Sequence, residues 1–329
     1  MTFPWHVEAL NPPFADPGFF LQHRYNGQAL FFDLGDLQRL SARQILKADQ
    51  IFISHAHIDH LIGFDQLLRL ALNRSKHLHI YGPPGIISQL GHKLQGYTWN
   101  LTEHYDLRLT VHEVSPQHIN SNDFLCSLKF IPQSNPVSHL YTDHVISQRS
   151  EFTVRAVALD HGIESLAYLL EEPQQINFHP DKLLRRNWQA GPWLTRVRRA
   201  LQDGTSPNTV FEVPGGGFQA LETIAGEIAT LQTGVKIAYV ADILFSEANL
   251  EKLLPLIHRA DLLLCEAAFL NTASDKAARS FHLTAEQAGL IARMAEVKQL
   301  KIFHFSPRHS DQEQQFYAEA AAAFHGPVN

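Results

Sequence analysis

Apolar positions along this chain switch between strand-like and helix-like spacing. Residues 19–25 and 28–34 are rich in closely spaced apolar side chains. Asn26-Gly27 between them predicts a hairpin with a two-residue turn. Residues 50–54 form a short apolar run that predicts a strand, and it ends in a cluster of histidines. Residues 63–73 carry apolar side chains at helical spacing. A strand over 78–81 stops at Gly82-Pro83-Pro84-Gly85, and a helix to about Leu94 follows. The middle predicts extended segments over 107–114, 124–131, 152–159 and 165–170. Residues 181–201 are amphipathic, basic and partly helical in pattern, and Gly215-Gly216-Gly217 marks a turn. The last third alternates: strands over 236–241, 261–265 and 300–303, helices over 247–257, 284–295 and 312–324. Such alternation predicts a layered α/β structure, with the strand-rich ends forming two halves of one sandwich.

The 329 residues are 45% hydrophobic and 18% charged, an ordinary globular balance that excludes a disordered or fibrous chain. A formal charge of −6 excludes a uniformly basic nucleic-acid binder, so any such contact needs a local patch. Only Cys126 and Cys265 occur. They allow no disulfide framework and suit a reducing, cytoplasmic setting. The N-terminal residues do not read as a signal peptide, and the longest apolar runs are broken at Asp65 and Glu266, so no membrane association is expected. The unusual feature is the presence of 20 histidines.

Four of the residues that metals accept fall within six positions, in Ser54-His55-Ala56-His57-Ile58-Asp59-His60. Two histidines at i and i+2 project to one side of an extended segment. The Asp and His that follow sit where the chain must turn. The plainer reading is a polar turn with satisfied surface histidines. Four ligand-type residues directly after an apolar strand argue against it, and their density suggests two ions about 3.5–4 Å apart. Three further predicted strands run into a ligand-type residue: 154–159 into Asp160-His161, 236–241 into Asp242 and 300–303 into His304. Ligand sites in α/β sheets favour that carboxyl edge. The strand-end residues and the cluster together supply seven ligands.

These residues resemble the metallo-β-lactamase superfamily, and within it the ribonuclease Z (tRNA 3′-processing endonuclease) group. The matching stretches are Phe31-Phe32-Asp33-Leu34-Gly35, the run from Ile53 to Gly63, Ile80-Tyr81-Gly82-Pro83, Asp160-His161, Tyr168 and Ala241-Asp242. They continue through Glu266-Ala267, Phe281-His282-Leu283-Thr284-Ala285 and His304-Phe305-Ser306-Pro307-Arg308. The resemblance implies an α/β fold, a four-layer αβ/βα sandwich with a projecting basic arm, built as one domain over 1–329 with the arm at 175–215. It implies two zinc ions, with manganese or iron as alternatives. His55, His57 and His161 would hold one ion, and Asp59, His60 and His304 the other, with Asp242 bridging. The implied activity is a phosphodiesterase that removes the 3′ trailer of pre-tRNA by attack of a metal-bound hydroxide. Asp59 would orient the nucleophile and His282 would donate a proton or hold the phosphate. A homodimer is also implied.

The arm corresponds to a basic stretch containing Ala190-Gly191-Pro192-Trp193. Lys182, Arg185, Arg186, Arg196, Arg198 and Arg199 stand there against Asp181, which suits phosphate contacts around Gly191 and Pro192. Trp188 and Trp193 either stack on substrate or anchor the arm. A solvated amphipathic helix is the plainer reading of the same charges. The chain departs from the group in four places. Ala9-Leu10-Asn11-Pro12-Pro13-Phe14 replaces a glycine-rich start, Cys265 stands where histidine is frequent, Ala268 replaces threonine and His309 replaces tyrosine. The competing reading is a hydrolase of the same fold acting on a small cyclic nucleotide, sulfate ester, lactone or thioester. A non-catalytic binding protein is the other alternative, and the full set of seven ligands argues against it.

Overall fold

A computed structural model describes residues 3–133 and 136–329. The chain forms two compact units: one comprises the chain up to Gln148, Val154–Leu170 and Lys236–Asn329, and the other Arg149–Thr153 with Glu171–Val235.

The first unit holds both large sheets. An eight-stranded sheet takes its strands in chain order, from Trp5–Ala9 at one edge to Val137–Leu140 at the other. Its centre is parallel, with Ala29–Phe32, Ala48–Phe52, His77–Gly82 and Arg108–Val114 side by side. A six-stranded sheet runs Leu300–Phe303, Leu262–Glu266, Lys236–Val240, Glu164–Glu171, Thr153–Asp160, Val145–Gln148. Helices Phe64–Ala71 and Ile86–Gln95 bury Leu67, Leu68, Leu90 and Leu94 against the first sheet. Helices Glu247–Ile257, Ala285–Met294 and Glu313–Phe324 bury Leu253, Ile291 and Phe316 against the second. Between the sheets lies an aromatic layer. Phe32 stacks on Tyr239 at 5.2 Å and on Tyr168 at 5.8 Å, and Phe19 meets Phe303 edge-on at 5.1 Å. The result is the α/β, αβ/βα layering that the alternating pattern and the resemblance lead one to expect.

Two local readings change, and one strand is added. The hairpin loop is longer than two residues, because pairing ends at His23, whose amide donates to the carbonyl of Gln28. The strand expected over 124–131 instead occupies His118–Leu125. The chain then turns through Cys126–Leu128, with Lys129 and Phe130 left-handed. The strand Val145–Gln148 forms an edge that the polar sequence around it concealed.

The second unit is built on a ribbon of Gln175–Phe178 paired with Ala229–Gln232, the helices Pro180–Arg185, Trp193–Gln202 and Leu221–Ile228, and a hairpin of Val210–Val213 with Gly217–Ala220. Its core gathers Leu183, Trp188, Trp193, Val197, Leu221 and Ile224. Gly215 and Gly216 form the hairpin's turn with Pro214, Gly217 begins the second strand, and the first two glycines have a packing reason. A Cβ on Gly216 would lie 2.3 Å from the Trp188 indole nitrogen. Gly215 has φ +85° and already approaches the Asn187 carbonyl, where a Cβ would lie 2.1 Å away.

Candidate metal centre

All nine residues at this site lie in the first unit, and the strands explain why they meet. His55 and His57 follow the strand Ala48–Phe52, and Asp59 and His60 sit in the short helix Ile58–Leu61. His161, Asp242 and His304 each follow the last residue of a strand or lie within two of it, while Glu266 is itself the last residue of its strand. The ligand atoms of His55, His57, His161 and Asp242 lie within 4.8 Å of one another. Those of Asp59, His60 and His304 do the same, as do those of Asp242, Glu266, His282 and His304. Asp242 stands at the middle. Its Oδ2 is 3.6 Å from Nε2 of His55, 3.5 Å from Nε2 of His60 and 3.6 Å from Nε2 of His161. Its Oδ1 is 2.7 Å from Nδ1 of His304. The seven residues that the sequence marks as ligands thus converge on one place.

Neighbouring groups aim these rings. Nδ1 of His60 lies 2.7 Å from Asp33 Oδ2, and Nδ1 of His161 lies 2.7 Å from the Phe281 carbonyl. Nδ1 of His55 lies 3.1 Å from the Ser54 hydroxyl. Each contact leaves Nε2 turned to the centre, which is how histidine ligands are oriented. Asp33 anchors the arrangement. It accepts from the Ser54 amide at 2.6 Å, the Ser54 hydroxyl at 2.7 Å and the Tyr239 hydroxyl at 2.6 Å, and it is fully buried. It does so with φ at +54°, and Phe281 and His304 also hold positive φ, of 59° and 64°. Non-glycine residues in that region cost free energy and cluster at functional sites.

Electrostatics and satisfaction both favour a cation here. Nε2 of His55, Nε2 of His60, Oδ1 of Asp242 and Nδ1 of His304 are buried with no hydrogen bond of normal geometry. One such group costs about 1–3 kcal/mol when left unsatisfied, and four at one point fit a bound ion. Burial and the neighbouring His60 push His55 down to about 2, so its ring is neutral and free to ligate. Burial opposes charge on His60, but the Asp242 and Asp33 carboxylates raise it to about 10. Burial likewise opposes charge on His304, and Asp242 raises it well above the usual range. Asp242 itself is held well below the carboxylate range by His304 and His60, against its burial. Without metal, protons on His60 and His304 balance these carboxylates; divalent ions are the natural replacement.

His282 is outside the seven residues that the sequence marks as ligands but joins Asp242, Glu266 and His304 in the third cluster. It precedes the helix Ala285–Met294, which Thr284 and Gln287 cap reciprocally. Its Nδ1 is 2.9 Å from Oε2 of Glu266. Glu266 is fully buried, and its Oε1 accepts from the amides of Ile243 and Leu283 at 2.8 and 3.3 Å. Burial lowers His282, but Glu266 raises it on balance, favouring the imidazolium. Sequence pattern alone does not mark Asp33 and Glu266 as functional. Asp33 lies in Phe31-Phe32-Asp33-Leu34-Gly35 and Glu266 ends a strand, so a carboxylate after an apolar run is the available signal. A cavity of about 270 Å³ opens beside His282, Asp59 and His304.

The basic stretch lies in the second unit. Arg185, Arg186, Arg196, Arg198 and Arg199 are exposed and Lys182 is half-buried. Arg186 pairs with Glu227, its Nε 2.9 Å from Oε2, and Arg198 covers the Phe178 ring at 5.4 Å. Gly191-Pro192 opens the helix Trp193–Gln202. Trp188 and Trp193 are both buried in that unit's core, so they anchor it and are not stacking surfaces.

Clustered imidazoles and carboxylates at the strand ends of a four-layer sandwich define a metal-dependent hydrolase. The beta-lactamase superfamily domain matches residues 31–136. The chain is 30% identical over 305 residues to the ribonuclease Z of Deinococcus radiodurans, covering 89% of this chain and 87% of that protein. Among solved structures it superposes on the metallo-beta-lactamase fold protein YhfI from Bacillus subtilis with a TM-score of 0.57 at 17% identity, over 99% and 96% of the two chains. It matches human tRNase Z, short form, with a TM-score of 0.51 at 19% identity, over 93% of each. The chain belongs to the metallo-β-lactamase superfamily and, within it, to the ribonuclease Z-like group.

Proposed function

We propose that this protein is an endonuclease that removes the 3′ trailer of pre-tRNA. The observation that carries this is the seven-residue metal centre beside a Glu266–His282 pair in a chain 30% identical to a ribonuclease Z. His55, His57 and His161 would hold one zinc ion and Asp59, His60 and His304 a second, with Asp242 between them. Such a pair supplies positive charge to the phosphoryl oxygens and makes water acidic enough to act at neutral pH. Asp59 lies on the cavity side of this set, where its carboxylate accepts a hydrogen bond from the attacking water and orients it. His282, with Nδ1 held by Glu266, keeps Nε2 for the leaving 3′ oxygen and donates its proton there.

Lys182, Arg185, Arg186, Arg196, Arg198 and Arg199, with the Gly191-Pro192 segment, form an arm that takes RNA phosphates other than the reacting one. The protein works as a cytoplasmic homodimer in this reading. The test is incubation of the zinc-loaded protein with a pre-tRNA carrying a 3′ trailer, beside bis(p-nitrophenyl) phosphate. A single cut at the base of the trailer is expected. Turnover of the small diester with an intact pre-tRNA would replace this reading with that of a small-substrate hydrolase.

A further inference from the structure

The loop that replaces the group's glycine-rich start forms one wall of the cavity beside the metal centre. Phe14, Ala15 and Asp16 line it, opposite Phe269, His282 and Pro307. The loop is pinned. The Asn11 side-chain amide donates to the carbonyls of Asp16 at 2.9 Å and Asp36 at 3.0 Å, and the Phe305 amide donates to Pro13 at 2.7 Å. Phe14 packs edge-on against Phe305 at 5.3 Å. Only the backbone of Asp16 is used in these contacts. Its half-buried carboxylate accepts from no donor among the described residues, and it shares the cavity with Asp59.

Asp59, His282 and His304 line the cavity on the side of the reacting phosphate, which leaves Phe14, Phe269 and the unpaired Asp16 carboxylate to hold a neutral group. At about 270 Å³ the cavity lies just under the ~300–1,000 Å³ of drug-sized sites and takes one small planar unit. An ionised carboxylate only accepts hydrogen bonds. We infer that Phe14, Phe269 and Asp16 make this cavity the seat of one nucleobase next to the scissile phosphate, and that Asp16 selects a base presenting an amino group. Aromatic walls receive splayed-out bases, and a carboxylate reads the cytosine amino group, whereas uracil offers a carbonyl at that position. The inference rests on the reading of the centre as an RNA phosphodiesterase.

Cytidine and uridine 5′-monophosphate share the ribose phosphate and differ only on the base edge, amino against carbonyl at C4 and bare nitrogen against N–H at N3, so their affinity ratio isolates the base from the phosphate. Calorimetric titration of the zinc-loaded protein should give CMP about tenfold tighter binding than UMP, the worth of one charge-assisted hydrogen bond. Asp16→Asn should bring the ratio close to one, and Asp16→Glu should keep a preference for CMP. Equal affinities in the wild type, or an undiminished ratio in Asp16→Asn, would overturn the inference. So would loss of zinc from Asp16→Asn, which would make Asp16 a metal ligand. The titration does not require RNA cleavage. If the preference is found while pre-tRNA stays intact, the base seat stands and the tRNA reading falls.

Discussion

Around Asp242 the titratable groups are buried or half-buried except His57, and most are oriented by a partner. Along Lys182 to Arg199 most are exposed and face water. The His60–Asp33 contact at 2.7 Å and the His282–Glu266 contact at 2.9 Å fix ring orientation in a low-dielectric setting. In the second unit, the exposed Arg185–Asp181 pair is 3.9 Å apart, and Arg196 and Arg199 make no ion pair among the described residues. The first arrangement is suited to chemistry, where a misplaced atom is costly. The second is suited to screened attraction, where number matters more than geometry. The two regions should therefore respond differently to substitution and to salt.

The sharpest break of that contrast lies at His282. His282→Ala should retain both metals and the fold and lose about 10²–10⁴ in kcat, the range for a general acid. A wild-type rate in single-turnover assays would remove the role. Asp33→Asn should follow, with metal affinity or activity down about 10–100-fold, the usual cost of an outer partner of a ligand. Competition with a chelating dye measures it.

Reversing Arg196, Arg198 and Arg199 to Glu should weaken pre-tRNA binding while hydrolysis of a small diester persists. The log–log salt slope should fall by about 0.7–0.9 for each phosphate that is no longer neutralised. An equal drop on both substrates would mean that the stretch only supports the fold.

The smallest effect concerns a histidine group outside the site. His112 bonds Ser121 at 2.7 Å and His79 at 3.1 Å, and it stacks on Tyr81 at 4.3 Å. Burial, helped by His79 and His139, lowers His112 to about 3. Between that value and the ordinary ~6.5, the unfolded chain binds more protons at His112 than the folded one. Stability should thus fall as pH drops below about 6.5, by at most ~1.4 kcal/mol per pH unit. Thermal melts of His112→Gln should show a shallower acid slope.

The convergence of the seven candidate ligands was legible because HxHxDH is local and because each remaining candidate follows an apolar strand. The residues that aim them were less so. Asp33 matters through a left-handed backbone and through bonds to Ser54, His60 and Tyr239, and no spacing in the chain foretells these. Glu266 acquires its role by meeting His282 across a fold that places a strand end against a helix start. The second unit was least legible. Its four-residue strands carry mixed polarity, and Gln175–Phe178 pairs with Ala229–Gln232 across the whole inserted segment. Its tryptophans looked equally fit for stacking and anchoring until burial separated the two. Asn26-Gly27 misled because the flanking pair His23 and Gln28 closes a longer loop.

The central claim is that Asp242 lies between two ions held by two ligand sets. Elemental analysis of the purified protein, repeated on Asp242→Ala and Asp59→Ala, tests it most directly. Two zinc ions per chain are expected, falling to one in Asp59→Ala and toward none in Asp242→Ala, with ligand distances near ~2.0–2.1 Å by X-ray absorption. A saturable stoichiometry of one, unchanged by Asp59→Ala, would contradict the two-ion centre.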